Sequence, residues 1–435
     1  MKHQMILRVL ALALAFALAL SACGPAATEA PAAEAPAAEA PAAEAPAETE
    51  APAAEAPAAE AGELQIPDIE EGKFNVALAM LSVHDDGGWS QAQYDGLQYL
   101  EANLPGVHTA YIESVAEGAD SEQVFRALSR KGFDLIIGGS FGYMDSMEVV
   151  AEEFPDIGYI HISGYKSNMT NFGNLFGAME DMKYLAGMLA GSRAKADGKT
   201  KIGGMATFPI PEELRLFNAY ALGIQETCPE CTLDIRWINT WHDPIIEREG
   251  ADSLFDAGSH VVMTGADTPA SALAAADREG VYGITYDWSG SCTLDECLTA
   301  PYWNWGPVFV RLTKAVMEGT YEYGWDYFEA SEGGLGLYGF MEGETPQPGV
   351  QSLPEEDVQA VRDLLAKMLA GEFDRFDIFT GPITDNQGNL VIEEGKSFQV
   401  ADIDQFAPGA PGLECEYGMY WWNENVTAEL PDLGQ

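Results

Sequence analysis

The chain has 435 residues, with 69 Asp and Glu against 22 Lys and Arg, a formal net charge of −47. Such a balance argues against nucleic acid as a direct partner and against docking on an anionic membrane surface, because both take a surplus of Lys and Arg. An apolar share of 47% with 10% aromatics excludes an acidic disordered chain, and the length suits two to three folding units of roughly 150 residues.

In chain order, residues 1–23 read as a leader. Lys2 and Arg8 precede a continuous apolar run over 9–20 and then the small residues Ser21 and Ala22 before Cys23. This is the pattern of an export signal, and the run is short of the roughly 20 residues that span a bilayer. Leu20-Ser21-Ala22-Cys23 resembles a bacterial lipobox, which makes Cys23 the expected lipid anchor. Residues 24–62 are almost wholly Ala, Pro and Glu. They have nothing to bury, so an extended linker is expected, with a reach on the order of 100 Å at about 3.1 Å per residue. With two positive charges in the leader and eight Glu in the linker, −41 remains for residues 62–435. The acidity therefore belongs to the folded part, through either a saline habitat or drift in composition.

From residue 74 on, short apolar runs alternate with helical patterns. Strands are expected at 74–80, 108–114, 134–139 and 158–162, with helices at 89–104, 121–131 and 146–154 between them. A second round follows: helix 182–194, strand 201–205, helix 212–227, strand 232–237, helix 244–257, strand 260–264, helix 270–279 and strand 282–286. This alternation predicts an α/β protein of two lobes, each a parallel sheet covered by helices. The expected lobes are 63–170 with 288–325, and 171–287 with 326–435.

Ligands in such sheets bind beyond the carboxyl ends of the strands. The loops there are 82–90, 138–145, 207–215, 239–243, 265–268 and 287–289. They carry Trp89, Phe141, Tyr143, Phe208, Trp241 and Trp288 beside Asp86, Asp145, Asp243, Asp267 and Asp287. Aromatic faces and carboxylates with little basic charge suit a flat, neutral or weakly basic ligand whose N–H and O–H groups need acceptors. No P-loop is present, and Gly334–Gly339 matches GxGxxG only in letters, with no βαβ unit around it.

Other residues leave alternatives open. Asp145 serves either as the cap of the helix after it or as a ligand contact. Arg215 is either a cleft donor or a surface charge. Asn218 sits within a helix it does not favour, which implies a polar task. The pairs Cys228/Cys231 and Cys292/Cys297 form either two disulfides, as the exported compartment favours, or a four-Cys zinc site; Cys415 is left over. No His spacing marks a metal site, and no cofactor is expected. Gly138-Gly139-Ser140-Phe141-Gly142 has the form of a nucleophile elbow, with His242 or His260 as the nominal base of a hydrolase.

The loops resemble the basic membrane protein (PnrA-like) family of extracytoplasmic substrate-binding lipoproteins of ABC importers. Asp86-Gly87-Gly88-Trp89-Ser90 with Tyr94-Asp95-Gly96-Leu97, Ser140 to Asp145, Tyr184-Leu185-Ala186-Gly187, and Gly371-Glu372-Phe373 with Phe379-Thr380-Gly381-Pro382-Ile383 carry it. Phe208 to Glu212 with Arg215 and Asn218, Asn239 to Pro244, Asp267 to Ala270 and Leu298 to Pro307 are similar to a Trp-rich branch of that family. The resemblance spans about residues 72–425. It implies a type I periplasmic-binding fold that closes on its ligand by a hinge, and a purine base or nucleoside as ligand. It puts Trp89 where a ring stacks on the purine and Ser90 where a side chain hydrogen-bonds it. Asp145 matches a cleft Asp, and one of Trp303 and Trp305 is expected to touch ligand. Thr285 stands where nucleoside binders carry a ribose-gripping Asp, which favours a free base. The expected partners are a purine-like small molecule, ABC permease subunits and, through Cys23, a membrane; the expected state is a monomer. The competing readings are a sugar or signalling-molecule binder and a sensor lobe.

Overall fold

A computed structural model describes residues 65–399 and 419–431. The leader, Cys23, the linker and Cys415 lie outside the described residues. The described residues form one compact unit, built on two parallel sheets.

The first sheet has six strands: β1 (Phe74–Ala79), β2 (Val107–Ile112), β3 (Leu135–Gly138), β4 (Gly158–Ile162), β5 (Phe172–Gly177) and β11 (Trp325–Phe328). They lie in the order β11-β5-β4-β3-β1-β2. The second has four: β6 (Lys201–Ala206), β7 (Thr232–Trp237), β8 (Val261–Thr264) and β9 (Tyr282–Ile284), ordered β7-β6-β8-β9. Every pairing within both sheets is parallel. Their central strands are apolar and buried on both faces, as expected of sheets covered by helices. The covering helices include α1 (Trp89–Asn103), α2 (Ala119–Lys131), α3 (Met144–Glu153), α4 (Met179–Ala196), α5 (Pro211–Thr227), α6 (Pro244–Asp256) and α7 (Ala270–Ala276). Among the described residues no helix is long and apolar enough to cross a membrane.

The expected lobe boundaries shift. β5 begins after residue 170 yet pairs with β4, and β11 runs through residue 325 yet pairs with β5. The chain therefore leaves the first sheet through α4 and returns to it at β11. Neither strand has a period-2 signal, because Phe172–Gly177 is buried on both faces and holds two Gly. Outside these two sheets are β10 (Pro301–Trp303), α8 (Trp305–Met317) and β12 (Leu335–Leu337), with β10 and β12 paired antiparallel.

α4 and α5 pack at close range. A Cβ on Gly187 would stand 2.2 Å from the Tyr220 carbonyl oxygen, and one on Gly223 2.0 Å from that of Tyr184. Only glycine permits this approach, which gives a physical reason for the Gly of Tyr184-Leu185-Ala186-Gly187.

Two disulfides close short loops, Cys228–Cys231 and Cys292–Cys297. With the four sulfurs paired to one another, the zinc alternative is set aside.

Candidate functional site

A narrow cleft between the two sheets has about 390 Å³ of empty space counting open solvent, of which only about 30 Å³ can hold the centre of a water-sized sphere. Its walls are loops that follow strands. Leu81 and Trp89 come after β1, Ser140 and Phe141 after β3, and Ser163 after β4. Glu212 and Glu213 follow β6, Trp241 follows β7, Gly265 and Asp267 follow β8, and Tyr286 and Asp287 follow β9. Seven strands thus deliver their carboxyl-end loops to one place, as parallel sheets do.

Three of the aromatic side chains of this cavity are held by specific contacts. The Trp89 indole N–H donates to the Gly139 carbonyl at 2.6 Å. The Trp89 ring meets Trp303 and Trp305 edge-on, each at 5.7 Å, and those two stack on one another at 4.9 Å. From the second lobe, Trp241 packs on Phe208 at 4.8 Å and approaches Phe141 of the first at 6.4 Å.

The polar wall is mainly carboxylate. Asp287 accepts from the Trp303 indole N–H at 2.8 Å, and Glu213 accepts from the Thr207 backbone N–H at 2.9 Å. Burial pushes Asp267 and Asp287 well above the usual carboxylate range and Glu213 up to about 7, because a charged carboxylate loses its hydration there. Lysine charge opposes them. Lys183 on α4 is fully buried, with Nζ 3.1 Å from the Tyr286 ring centroid. Burial lowers it to about 8 against the pull of Glu213 and Asp287. Two lobes thus offer aromatic faces, and the second adds dry hydrogen-bond acceptors.

Of the expected site residues, Trp89, Phe141, Trp241, Asp267 and Asp287 come together here. The others have different tasks. Asp86 accepts the backbone N–H groups of Gly88, Ser90 and Gln91 at 3.0–3.1 Å, which satisfies orphan donors at the start of α1. Ser90 is buried, its hydroxyl oxygen accepting the Ser82 N–H at 3.2 Å. Asp145 does not face the cavity: α3 starts at Met144, and the Asp145 side chain is 80% exposed and paired with Lys166 at 2.9 Å. Arg215 is buried and is not a surface charge, and its charge also acts on Glu213 of the cavity wall. Arg215 lies 3.0 Å from Glu180, which also accepts from the Tyr327 hydroxyl at 2.8 Å. Asn218 does have a polar task, donating to the Trp421 carbonyl at 2.9 Å and accepting from the Asn423 N–H at 2.8 Å, so it anchors the C-terminal segment. Trp303 and Trp305 are buried behind Trp89 and reach an outer groove that also contains Trp288. Tyr143 is core, its hydroxyl donating to the Val115 carbonyl.

Sequence reasoning missed Lys183, Glu213, Tyr286 and Ser163. A Lys within an otherwise apolar helix face and paired Glu at a helix start just after a strand were the available signals. The elbow reading of Ser140 also fails: its hydroxyl donates to Glu117 at 2.6 Å, while His260 pairs with Asp197. His161 meets Ser140 through the Ser140 backbone carbonyl, at 2.7 Å, and meets Asn174 with its other ring nitrogen, at 3.1 Å.

The lobes meet at the cavity's lip. A Cβ on Gly88 would fall 1.7 Å from the Asp267 carbonyl oxygen, so the loop of the first lobe lies against that of the second, and only a glycine fits.

Known proteins share this architecture. A solute-binding protein of an ABC transporter system from Aeropyrum pernix K1 superposes with a TM-score of 0.59 at 21% identity, over 69% of this chain and 92% of that one. A Haloferax volcanii protein named for glucose binding by an ABC transporter is 32% identical over 74% of this chain and 79% of its own length. A protein of Brucella abortus named as purine-binding is 30% identical over 78% of this chain and 95% of its own length. Residues 73–372 match the family described as ABC transporter substrate-binding protein, PnrA-like. The chain belongs to that family: it is an extracytoplasmic substrate-binding protein of an ABC transporter, with a small-molecule ligand and permease partners, and is not an enzyme.

Proposed function

We propose that the cavity takes a purine-like ring, that the chain is held at the membrane by a lipid on Cys23, and that it presents the ligand to its permease as a monomer. One observation carries the ligand reading: Trp89 is fixed by its hydrogen bond to Gly139 and by two edge contacts, and borders a cavity walled by buried carboxylates. A rigid indole stacks on a flat ring, and carboxyl groups accept the ring's N–H donors. The Brucella abortus relative named for purine binding supports it. A free base fits better than a nucleoside, because Thr285 is fully buried and its hydroxyl is taken by Ser291 at 2.8 Å. The relative named for glucose binding favours a sugar as the second reading, since aromatics and carboxylates also suit sugar hydroxyls.

A thermal-shift screen of the purified chain against adenine, guanine, hypoxanthine, their nucleosides and hexoses separates the two. A ligand at 100 times its dissociation constant adds about 2.7 kcal/mol to the folded state. A shift with bases and none with hexoses is expected. Shifts with glucose alone would replace the purine reading.

A further inference from the structure

We infer that Asp86, His242 and Asp267 form a binding site for a divalent transition-metal cation that ties the two lobes together. The three residues come from different loops, after β1, β7 and β8. One oxygen or ring nitrogen from each lies within 4.8 Å of the others. Some point therefore lies within about 2.8 Å of all three atoms, so contraction of under about 1 Å reaches zinc–ligand distances of about 2.0–2.2 Å.

Two of these groups are otherwise unexplained. Asp267 is 5% exposed, and its Oδ2 is buried with no hydrogen-bond partner; His242 Nδ1 is buried and unpartnered as well. Leaving such atoms unsatisfied is costly, and the cost disappears when they ligate a cation. The charges acting most strongly on Asp267 are carboxylates: Asp287, Asp86, Glu247 and Glu213. A cation relieves that repulsion. The third ligand is already held in place, since three backbone N–H groups fix the Asp86 carboxylate. Nor are the loops independent. The Asp267 N–H donates to the Trp241 carbonyl at 3.2 Å, which couples the residue before His242 to Asp267.

One imidazole nitrogen and two carboxylate oxygens suit a borderline ion of the zinc or manganese type. Calcium and magnesium prefer all-oxygen sites. Asp86 belongs to the first lobe and the other two to the second, so the cation binds only the closed form and stabilises closure. The site is independent of which ligand fills the cavity, although Asp267 borders both.

The test uses the full chain, purified without a histidine tag, stripped with chelator and dialysed against Zn²⁺, Mn²⁺, Ca²⁺ or Mg²⁺. Bound metal is counted by elemental analysis, and compaction is followed by small-angle scattering. One Zn²⁺ or Mn²⁺ per chain is expected, with a smaller radius of gyration. His242→Ala and Asp86→Asn should each weaken binding at least tenfold and abolish the compaction, while the exposed neighbour substitution Asp85→Asn changes neither. His242 is only half-buried, so its Ala variant tests the site even where a core substitution fails to fold. Absence of a stoichiometric transition metal, metal retained unchanged by His242→Ala, retention of Ca²⁺ instead, or binding without compaction would each overturn the inference.

Discussion

Trp89→Ala removes the ring that borders the cavity. Stacking of a base on an aromatic side chain contributes about 1–3 kcal/mol by alanine substitution, so the dissociation constant for a purine should rise about 5- to 150-fold. The same change affects stability. It deletes the edge contacts to Trp303 and Trp305, both at 5.7 Å, each worth about 0.5–1.5 kcal/mol beyond area burial. Half-buried as Trp89 is, a total of about 2–3 kcal/mol is expected, below the range for a fully buried Trp. The Gly139 carbonyl is not orphaned, because Gln93 Nε2–H still donates to it at 3.2 Å. Trp89→Phe keeps a π face but loses the pinning donor, worth about 0.5–1.5 kcal/mol, so its affinity loss should stay near or below tenfold. Titration calorimetry with adenine, guanine and hypoxanthine measures affinity, and urea denaturation measures stability. Unchanged purine affinity in Trp89→Ala would refute stacking on this residue. Equal losses in both variants would show that the indole N–H acts through position and not through its face.

Other outcomes follow from buried polar groups. Arg215→Ala leaves Glu180, itself 0% exposed, without its guanidinium partner; breaking such a pair costs about 3–5 kcal/mol, and a shift in urea midpoint equivalent to under about 1 kcal/mol would contradict the buried pairing. His161 is fully buried between the Ser140 carbonyl and Asn174, and burial lowers its pKa to about 4. Between pH 6.5 and 4 the unfolded imidazole binds a proton that the folded one does not, so stability falls as pH drops through that window. His161→Gln should flatten this part of the curve, and an unchanged slope in urea midpoints from pH 7 to 4.5 would contradict it. The disulfides close loops of three and five residues' separation, so chain-entropy arguments give about 2 kcal/mol each; Cys292→Ser with Cys297→Ser should lower the urea midpoint accordingly, and an unchanged midpoint would remove that role.

Much of the fold was legible because burial in a covered parallel sheet writes itself as apolar runs. Gly158–Ile162 and Thr232–Trp237 match their expected bounds, and most other expected strands and helices end within a few residues of theirs. β5 and β11 were not legible, since neither alternates, β5 holds two Gly and β11 is only four residues long. α8 was hidden by Gly306-Pro307 at its start, which reads as a turn although Pro is tolerated in a first helical turn. Among the expected site residues, Trp89, Phe141, Trp241, Asp267 and Asp287, picked by loop position, line the cavity. Asp145 and Arg215 do not line it, because direction into or away from a cavity depends on which neighbours fill the other side.

By itself, the order of residues determined the repeating strand–helix units, the parallel sheets, the end of those sheets that binds, and, through its loop motifs, the family. These are local properties: hydrophobic period, helix ends and short segments with their own chemistry. Only the tertiary structure decided that Lys183 stands over Tyr286, that Arg215 is buried against Glu180, and that Asp86, His242 and Asp267 converge. The last three lie 156 and 25 positions apart in the chain, with no spacing that marks a metal site. Their meeting follows from two lobes closing on one another, a long-range packing event that no local pattern encodes.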